Sequence, residues 1–295
     1  VIYRPESDSR AVADVRWAAS GTRLVYAISP QDGHYLLDWN LYDLQTGLTQ
    51  STVSPYPAFG ATWERIGLGY PVNLDSFAEL QGFVSPNGKY LLFPNAGFPD
   101  SFSSPNYIYV MPAQGGDRRA ILGPTFQGKV GKAVWVEYET KVIFDYRHAG
   151  GVEVFITDLT RYSTNLLLDL FGPVDGLNTS WLVAPDETLI FVPGHGHSQI
   201  ITLKGGVEHT IDTPDGLESP SWALDSRAVY YWDGGAARLL RYRLGDTAPQ
   251  AFLTLDDLMS TSPVKVVRGM PFRVSPDQTR IVFWWKSWIW VVSLR

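Results

Sequence analysis

The sequence predicts an all-β six-bladed propeller made of four-stranded antiparallel blades. Three observations carry this reading. One unit of short apolar runs and tight turns recurs six times in 295 residues. The turns fall at intervals that suit a small sheet, and eleven tryptophans are on hand to fill the seams between sheets.

In chain order, the first turn of each unit centres on Ser20, Asn87, Glu139, Asp186, Asp225 and Asp277, at intervals of 67, 52, 47, 39 and 52 residues. A short apolar run ends just before each turn, as in Val15-Arg16-Trp17, Ser221-Trp222 and Phe272-Arg273-Val274. A β-branched or aromatic run follows it, as in Leu24-Val25-Tyr26, Val142-Ile143-Phe144 and Val229-Tyr230-Tyr231. A third run then appears, as in Ile108-Tyr109-Val110-Met111 and Ile289-Trp290-Val291-Val292. Their length, their composition and the Gly, Pro, Asn and Asp residues around them make these runs strands. Strand quartets repeating at about 40–50 residues mark propeller blades. Such a sheet has two apolar faces and buries them only against neighbouring sheets. The blades are placed at 12–54, 81–123, 130–169, 178–212, 219–254 and 270–295 in one domain over 1–295, with an insertion at 54–80. The sixth copy ends without a fourth run, and Val1-Ile2-Tyr3-Arg4 can supply it. The last blade is therefore expected to be closed by the N-terminal strand.

The units resemble the TolB-type propeller repeat, which is related to the WD-repeat propellers. The matching residues are Ser85-Pro86-Asn87-Gly88-Lys89 with Leu91-Leu92-Phe93, then Ile108-Tyr109-Val110-Met111 and Gly115-Gly116. Val274-Ser275-Pro276-Asp277 with Ile281-Val282-Phe283 is a second match, and Glu218-Ser219-Pro220-Ser221-Trp222 a third. Copies three and five depart from it at the turn, with Tyr138-Glu139-Thr140 and Leu224-Asp225-Ser226. The repeat is a structural motif, so the resemblance implies a fold and no catalytic residues. It also implies a periplasmic or extracellular setting.

Composition removes several function classes. A net charge of −6 argues against nucleic acid, whose readers show a basic face. No apolar run approaches the length of a membrane span. The chain has no cysteine, which excludes disulfides, thiol chemistry and Cys-based metal sites. It starts at Val1, as expected of a processed or trimmed product.

Loop lengths carry the main functional signal. First-to-second and third-to-fourth turns are short throughout, and length varies only in second-to-third loops and in links between blades. Strands alternate in direction, so these two variable classes share one face, and binding residues favour such loops. The insertions at 54–80, 95–106 and 255–269 elaborate that face. Candidate partner-binding residues are Tyr56, Phe59, Trp63, Arg65 and Tyr70 in the first insertion, Phe98 in the second, and Trp285 at a loop tip of the last blade. Residues just before the innermost strands are expected at the channel mouth: Asp14, Gln81, Lys132, Thr179, Glu218 and Arg268. Both charge signs occur there, which suits a polar or zwitterionic group such as a peptide terminus.

The remaining chemistry is sparse. His34, His148, His195 and His197 all fall in expected second-to-third loops, and Gly194-His195-Gly196-His197 could bring two imidazoles to one metal. No spacing matches a zinc or EF-hand pattern, so neither metal nor cofactor is expected. There is no Gly-x-Ser-x-Gly elbow and no dinucleotide or Walker fingerprint in a suitable context. The sequence therefore points to a non-enzymatic protein-interaction or scaffold propeller that binds a protein partner through its long-loop face. The alternatives are a carbohydrate-binding or carbohydrate-active propeller using the channel mouth, and a sensor or accessory domain of a larger chain.

Overall fold

The computed structural model describes residues 11–18, 20–28, 38–51, 85, 90–94, 108–112, 119–122, 129–137, 140–148, 151–171, 181–194, 196–254, 256, 269–286 and 288–294. These residues form six antiparallel sheets, each a meander of consecutive strands. The chain divides into two compact units, residues 54–177 and the remainder.

The larger unit holds four of the sheets. The first is β1 (Val12–Trp17), β2 (Arg23–Ile28), β3 (Asp38–Asp43) and β4 (Thr49–Ser51). In the smaller unit lie β5 (Tyr90–Pro94), β6 (Ile108–Pro112) and β7 (Arg119–Leu122), followed by β8 (Lys129–Val136), β9 (Lys141–His148), β10 (Gly151–Asp158) and β11 (Ser163–Phe171). The larger unit resumes with β12 (Leu182–Val183), β13 (Leu189–Val192), β14 (His197–Thr202) and β15 (Val207–Asp212). Next come β16 (Leu217–Trp222), β17 (Ala228–Asp233), β18 (Arg238–Arg243) and β19 (Gln250–Thr254), then β20 (Phe272–Val274), β21 (Arg280–Trp285) and β22 (Trp288–Ser293). Four sheets have four strands, and β5–β7 and β20–β22 have three among the described residues. The runs expected to complete those two, 81–84 and 1–4, lie outside the described residues. The insertion at 54–80 and the loop at 95–106 also lie outside them.

A strand buried on both faces explains why these sheets need partners. Every residue of β17 is buried, and its side chains alternate between two cores. Val229 and Tyr231 pack with Phe191, Ile200 and Ile211 of the preceding sheet. Ala228, Tyr230 and Trp232 pack with Phe272, Ile281 and Phe283 of the following sheet. β21 repeats the pattern: Ile281 and Phe283 face that second core, and Val282 and Trp284 join Val15, Leu24 and Tyr26 of the first sheet in a third. Each large side chain of this kind stabilises the seam by about 2–3 kcal/mol through burial. In the smaller unit, Val110 and Ile121 close against Trp135, Phe144 and Phe155.

Where they are described, the first-to-second strand turns are short and closed on themselves. In four sheets the same turn recurs, with a bond from the fourth residue back to the first: Gly21 to Ala18, Glu187 to Ala184, Ser226 to Ala223 and Gln278 to Ser275. The donor residue has φ of +69°, +60°, +59° and +56° respectively. Copy five adopts this turn despite its divergent sequence. Copy three builds a different one, with Glu137 as the left-handed residue and Thr140 N–H on the Glu137 carbonyl. These turns are also tied to neighbouring sheets. Asp186 N–H donates to Ser226 Oγ, Tyr230 Oη to Gln278 Oε1, and Arg280 Nη1 to the Gly21 carbonyl.

Candidate functional site

The first strands β12, β16, β20 and β1 lie side by side in that order. Over β12, β16 and β20 there is a cleft of about 450 Å³. Its floor and walls include Glu218, Ser219, Pro220, Gly269, Arg273 and Trp284.

The acidic wall is built by a break in β16. The register of β16 against β17 shifts between Glu218 and Ser221, and Ser219 takes a left-handed φ of +48°. A bulge of this kind re-aims the side chains around it. Ser219 Oγ donates to the Gly269 carbonyl at 2.9 Å, tying β16 to the segment that enters β20. The Glu218 carboxylate lies between two glycines. A Cβ at Gly269 would stand 2.6 Å from Glu218 Oε2, and one at Gly234 would stand 3.4 Å from Oε1. Gly269 also has φ +78°, so glycine there answers both the backbone and the space.

The basic wall comes from β20, where Arg273 alternates with buried Phe272 and Val274. Its guanidinium lies 5.7 Å from the Trp284 ring centroid, and Nη1 donates to Ser221 Oγ and the Phe272 carbonyl, each at 3.3 Å. The Arg273 carbonyl accepts the Trp17 indole N–H at 3.0 Å. Arg273 was not among the residues expected from the sequence. A charged residue between two core positions of an innermost strand is the signal that could have found it.

Of the expected channel-mouth residues, Glu218 lines this cleft. Asp14 lies on β1 and Lys132 on β8, with side chains outside the described set, and Gln81, Thr179 and Arg268 are outside the described residues. Tyr56, Phe59, Trp63, Arg65, Tyr70 and Phe98 are outside them as well. Trp285 ends β21, pairs with Trp288 across the hairpin, and is 47% exposed.

The histidines sit differently from expectation. His148 ends β9 opposite Gly151, and His197 opens β14 opposite Asp212, so both belong to strands rather than loops. The reason is hairpin length: β9 and β10 are joined by only residues 149–150, and pairing runs to the strand ends. His197 Nδ1 lies 2.9 Å from Asp212 Oδ1 on an exposed surface. His195 and His34 are outside the described residues. Among the described residues no group of three His, Asp or Glu is placed to hold a metal.

A second concavity of about 300 Å³ includes Asp212, Asp233, Arg238 and Leu240. Asp233 there accepts from Arg238 Nε and from the Gly235 and Ala236 amides, so its bonding serves its own turn.

No family model matches the chain, and no curated protein matches it. Solved structures do resemble it in fold. TolB from Acinetobacter baumannii is 13% identical with a TM-score of 0.41, over 93% of this chain and 63% of that one. This chain thus spans less than two thirds of that TolB. A structure assigned to TolB of Agrobacterium tumefaciens is 13% identical with a TM-score of 0.45, over 96% of this chain and 90% of that one. A chain of a mitotic checkpoint complex is 14% identical with a TM-score of 0.45, over 99% and 79%. By its own sheets the chain is an all-β protein of propeller-type blades, similar in fold to the TolB structures.

Proposed function

We propose that this protein is a non-enzymatic interaction module that docks a protein partner on the end of the blades bearing the second-to-third loops and the blade links. The observation that supports the reading is the contrast between the two ends. The described first-to-second turns close on themselves through a backbone bond and are tied to neighbouring sheets, leaving little for a partner. The sequence assigns its long insertions to second-to-third loops and blade links, and the second-to-third hairpin of the last blade presents Trp285, a half-exposed indole of the type that anchors interfaces. The residues proposed for the contact are Tyr56, Phe59, Trp63, Arg65, Tyr70, Phe98 and Trp285. The module works outside the cytoplasm, as the resemblance to TolB-type repeats implies. No helix among the described residues is long and apolar enough to cross a membrane.

The test is affinity capture from source-cell extract with the intact chain and with a folded variant in which 54–80 is replaced by a short Gly-Ser link. A partner identified by mass spectrometry is then titrated against Trp285→Ala. The reading expects the partner to be lost by the loop variant and weakened about thirtyfold by Trp285→Ala, the scale of an interface anchor. Equal capture by both baits, with Trp285→Ala binding unchanged, overturns it.

A further inference from the structure

We propose that Asp215-Gly216, in the link between β15 and β16, is a modification site at which the folded chain spontaneously converts aspartate to isoaspartate. This goes beyond partner docking and does not depend on it.

The sequence holds four Asp-Gly pairs, and two of them, Asp215-Gly216 and Asp233-Gly234, lie among the described residues. Glycine after aspartate leaves the backbone nitrogen uncrowded and the local chain free to turn, so both pairs carry the same local chemistry. The fold treats them in opposite ways.

Asp233-Gly234 is locked at both reacting atoms. Asp233 is 5% exposed, and its carboxylate accepts from the Gly235 and Ala236 amides and from Arg238 Nε. The Gly234 N–H donates to the Gly216 carbonyl at 3.1 Å. The nitrogen reaches the carboxyl carbon only by breaking these bonds.

Asp215-Gly216 is open at both. Asp215 is exposed, and among the described residues nothing hydrogen-bonds or ion-pairs with its carboxylate. The Gly216 N–H likewise meets no acceptor among them. Gly216 has φ +122°, and a Cβ there would have nothing within 4 Å, so the space around it is free. The link is pinned on either side of this peptide. Thr213 N–H donates to the Gly196 carbonyl at 2.9 Å, and the Gly216 carbonyl takes the Gly234 N–H.

The chemistry needs only water. The Gly216 nitrogen attacks the carbon of the protonated Asp215 carboxyl, a C–N bond forms, and the amide proton and carboxyl hydroxyl leave as water. Water then opens the resulting succinimide ring. When it breaks the original backbone C–N bond, the main chain runs through the side-chain carbonyl and Asp215 keeps a free α-carboxylate. The product has the same mass and a backbone one methylene longer, just before the carbonyl on which Gly234 rests.

Peptide mapping of the full chain tests the assignment, after several weeks at neutral pH and physiological temperature, folded or in concentrated guanidinium chloride. Trypsin places the two pairs in separate peptides, residues 205–227 and 228–238. Isoaspartate is read by chromatographic separation from the equal-mass aspartyl peptide and by electron-transfer fragments of the β-linked backbone. In the folded chain it should accumulate at 215 at least about tenfold faster than at 233, the rate effect of a hydrogen bond that must first break. In the denatured chain the two rates should converge. Asp215→Glu keeps the charge but would need a larger ring, and should leave the first peptide free of isoaspartate. Absence of isoaspartate at 215, equal accumulation at 215 and 233 in the folded chain, or a contrast that survives denaturation overturns the proposal. So does isoaspartate persisting in the first peptide of Asp215→Glu, which would place it at Asp212 or Asp225.

Discussion

The Trp17 indole N–H donates to the Arg273 carbonyl at 3.0 Å, across a sequence separation of 256 residues. The same bond recurs two seams away, where Trp222 donates to the Leu182 carbonyl at 2.9 Å. In both cases the last residue of a first strand reaches the neighbouring first strand, one residue before that strand's own last position. The Trp17 bond joins the first sheet to the last, and it holds the backbone of the arginine on the cleft.

Trp17→Phe should therefore destabilise the chain by about 1–3 kcal/mol, from the lost bond, an unmet carbonyl and a smaller ring. Trp222→Phe should cost a similar amount. The two seams share no partners, so the double variant should cost about the sum. Urea denaturation of the three variants checks this, and strong non-additivity would mean that the seams are coupled.

The left-handed turn residue offers a pair of opposite expectations. At Gly21 a methyl has room, with Pro276 Cδ 3.5 Å from the Cβ position, so Gly21→Ala tests backbone alone. It should cost about 1 kcal/mol. Glu187 occupies the equivalent position at φ +60°, and Glu187→Gly should stabilise by about the same amount. Thermal melts of the two variants should move in opposite directions.

Tyr231 is fully buried, and its hydroxyl has no hydrogen-bond partner among the described residues. Burial pushes the phenol well above its ordinary value of 10.0, and the nearby Asp233 charge adds to the rise. The unfolded chain therefore ionises first. The protonated phenol favours the folded state, an effect fully present below pH 10 and lost as pH rises beyond it. Tyr231→Phe should leave stability at neutral pH unchanged or raise it by up to about 1 kcal/mol. It should also make the loss of stability above pH 10 shallower, as read by denaturation at a series of pH values.

Asp277 titrates at about 2, held down from 3.8 by hydrogen bonds from the Ser275 and Thr279 hydroxyls and the Thr279 amide. Its folded-state value is depressed, so the charged turn contributes stability that is present above 3.8 and lost as pH falls towards 2. Carboxyl NMR shifts should show a midpoint near 2 in the intact chain. Ser275→Ala removes the largest contribution and should move that midpoint upward. An unmoved midpoint would assign the shift to the Thr279 hydroxyl and amide.

Much of this was legible locally. The alternation in Ala228–Asp233 is a statement about two faces, and both prove to be buried. The turn at Asp277 needs only Ser275, Thr279 and the left-handed Gln278, all within a few residues. Glu218 was expected at a channel mouth because it enters a first strand, and it lines the cleft over β12, β16 and β20. Arg273 was not, since its role depends on Ser221 and Trp284, which belong to other strands.

The sequence by itself determined strands, turn positions and the need of each sheet for a neighbour, because these follow from hydrophobic period and short-range backbone preference. Tertiary structure alone decided that Trp17 meets Arg273, that β16 breaks at Ser219, and that Glu218 and Arg273 share one cleft. Those outcomes depend on how first strands from separate blades approach one another. Chain segments tens to hundreds of residues apart leave no periodic mark of such a meeting.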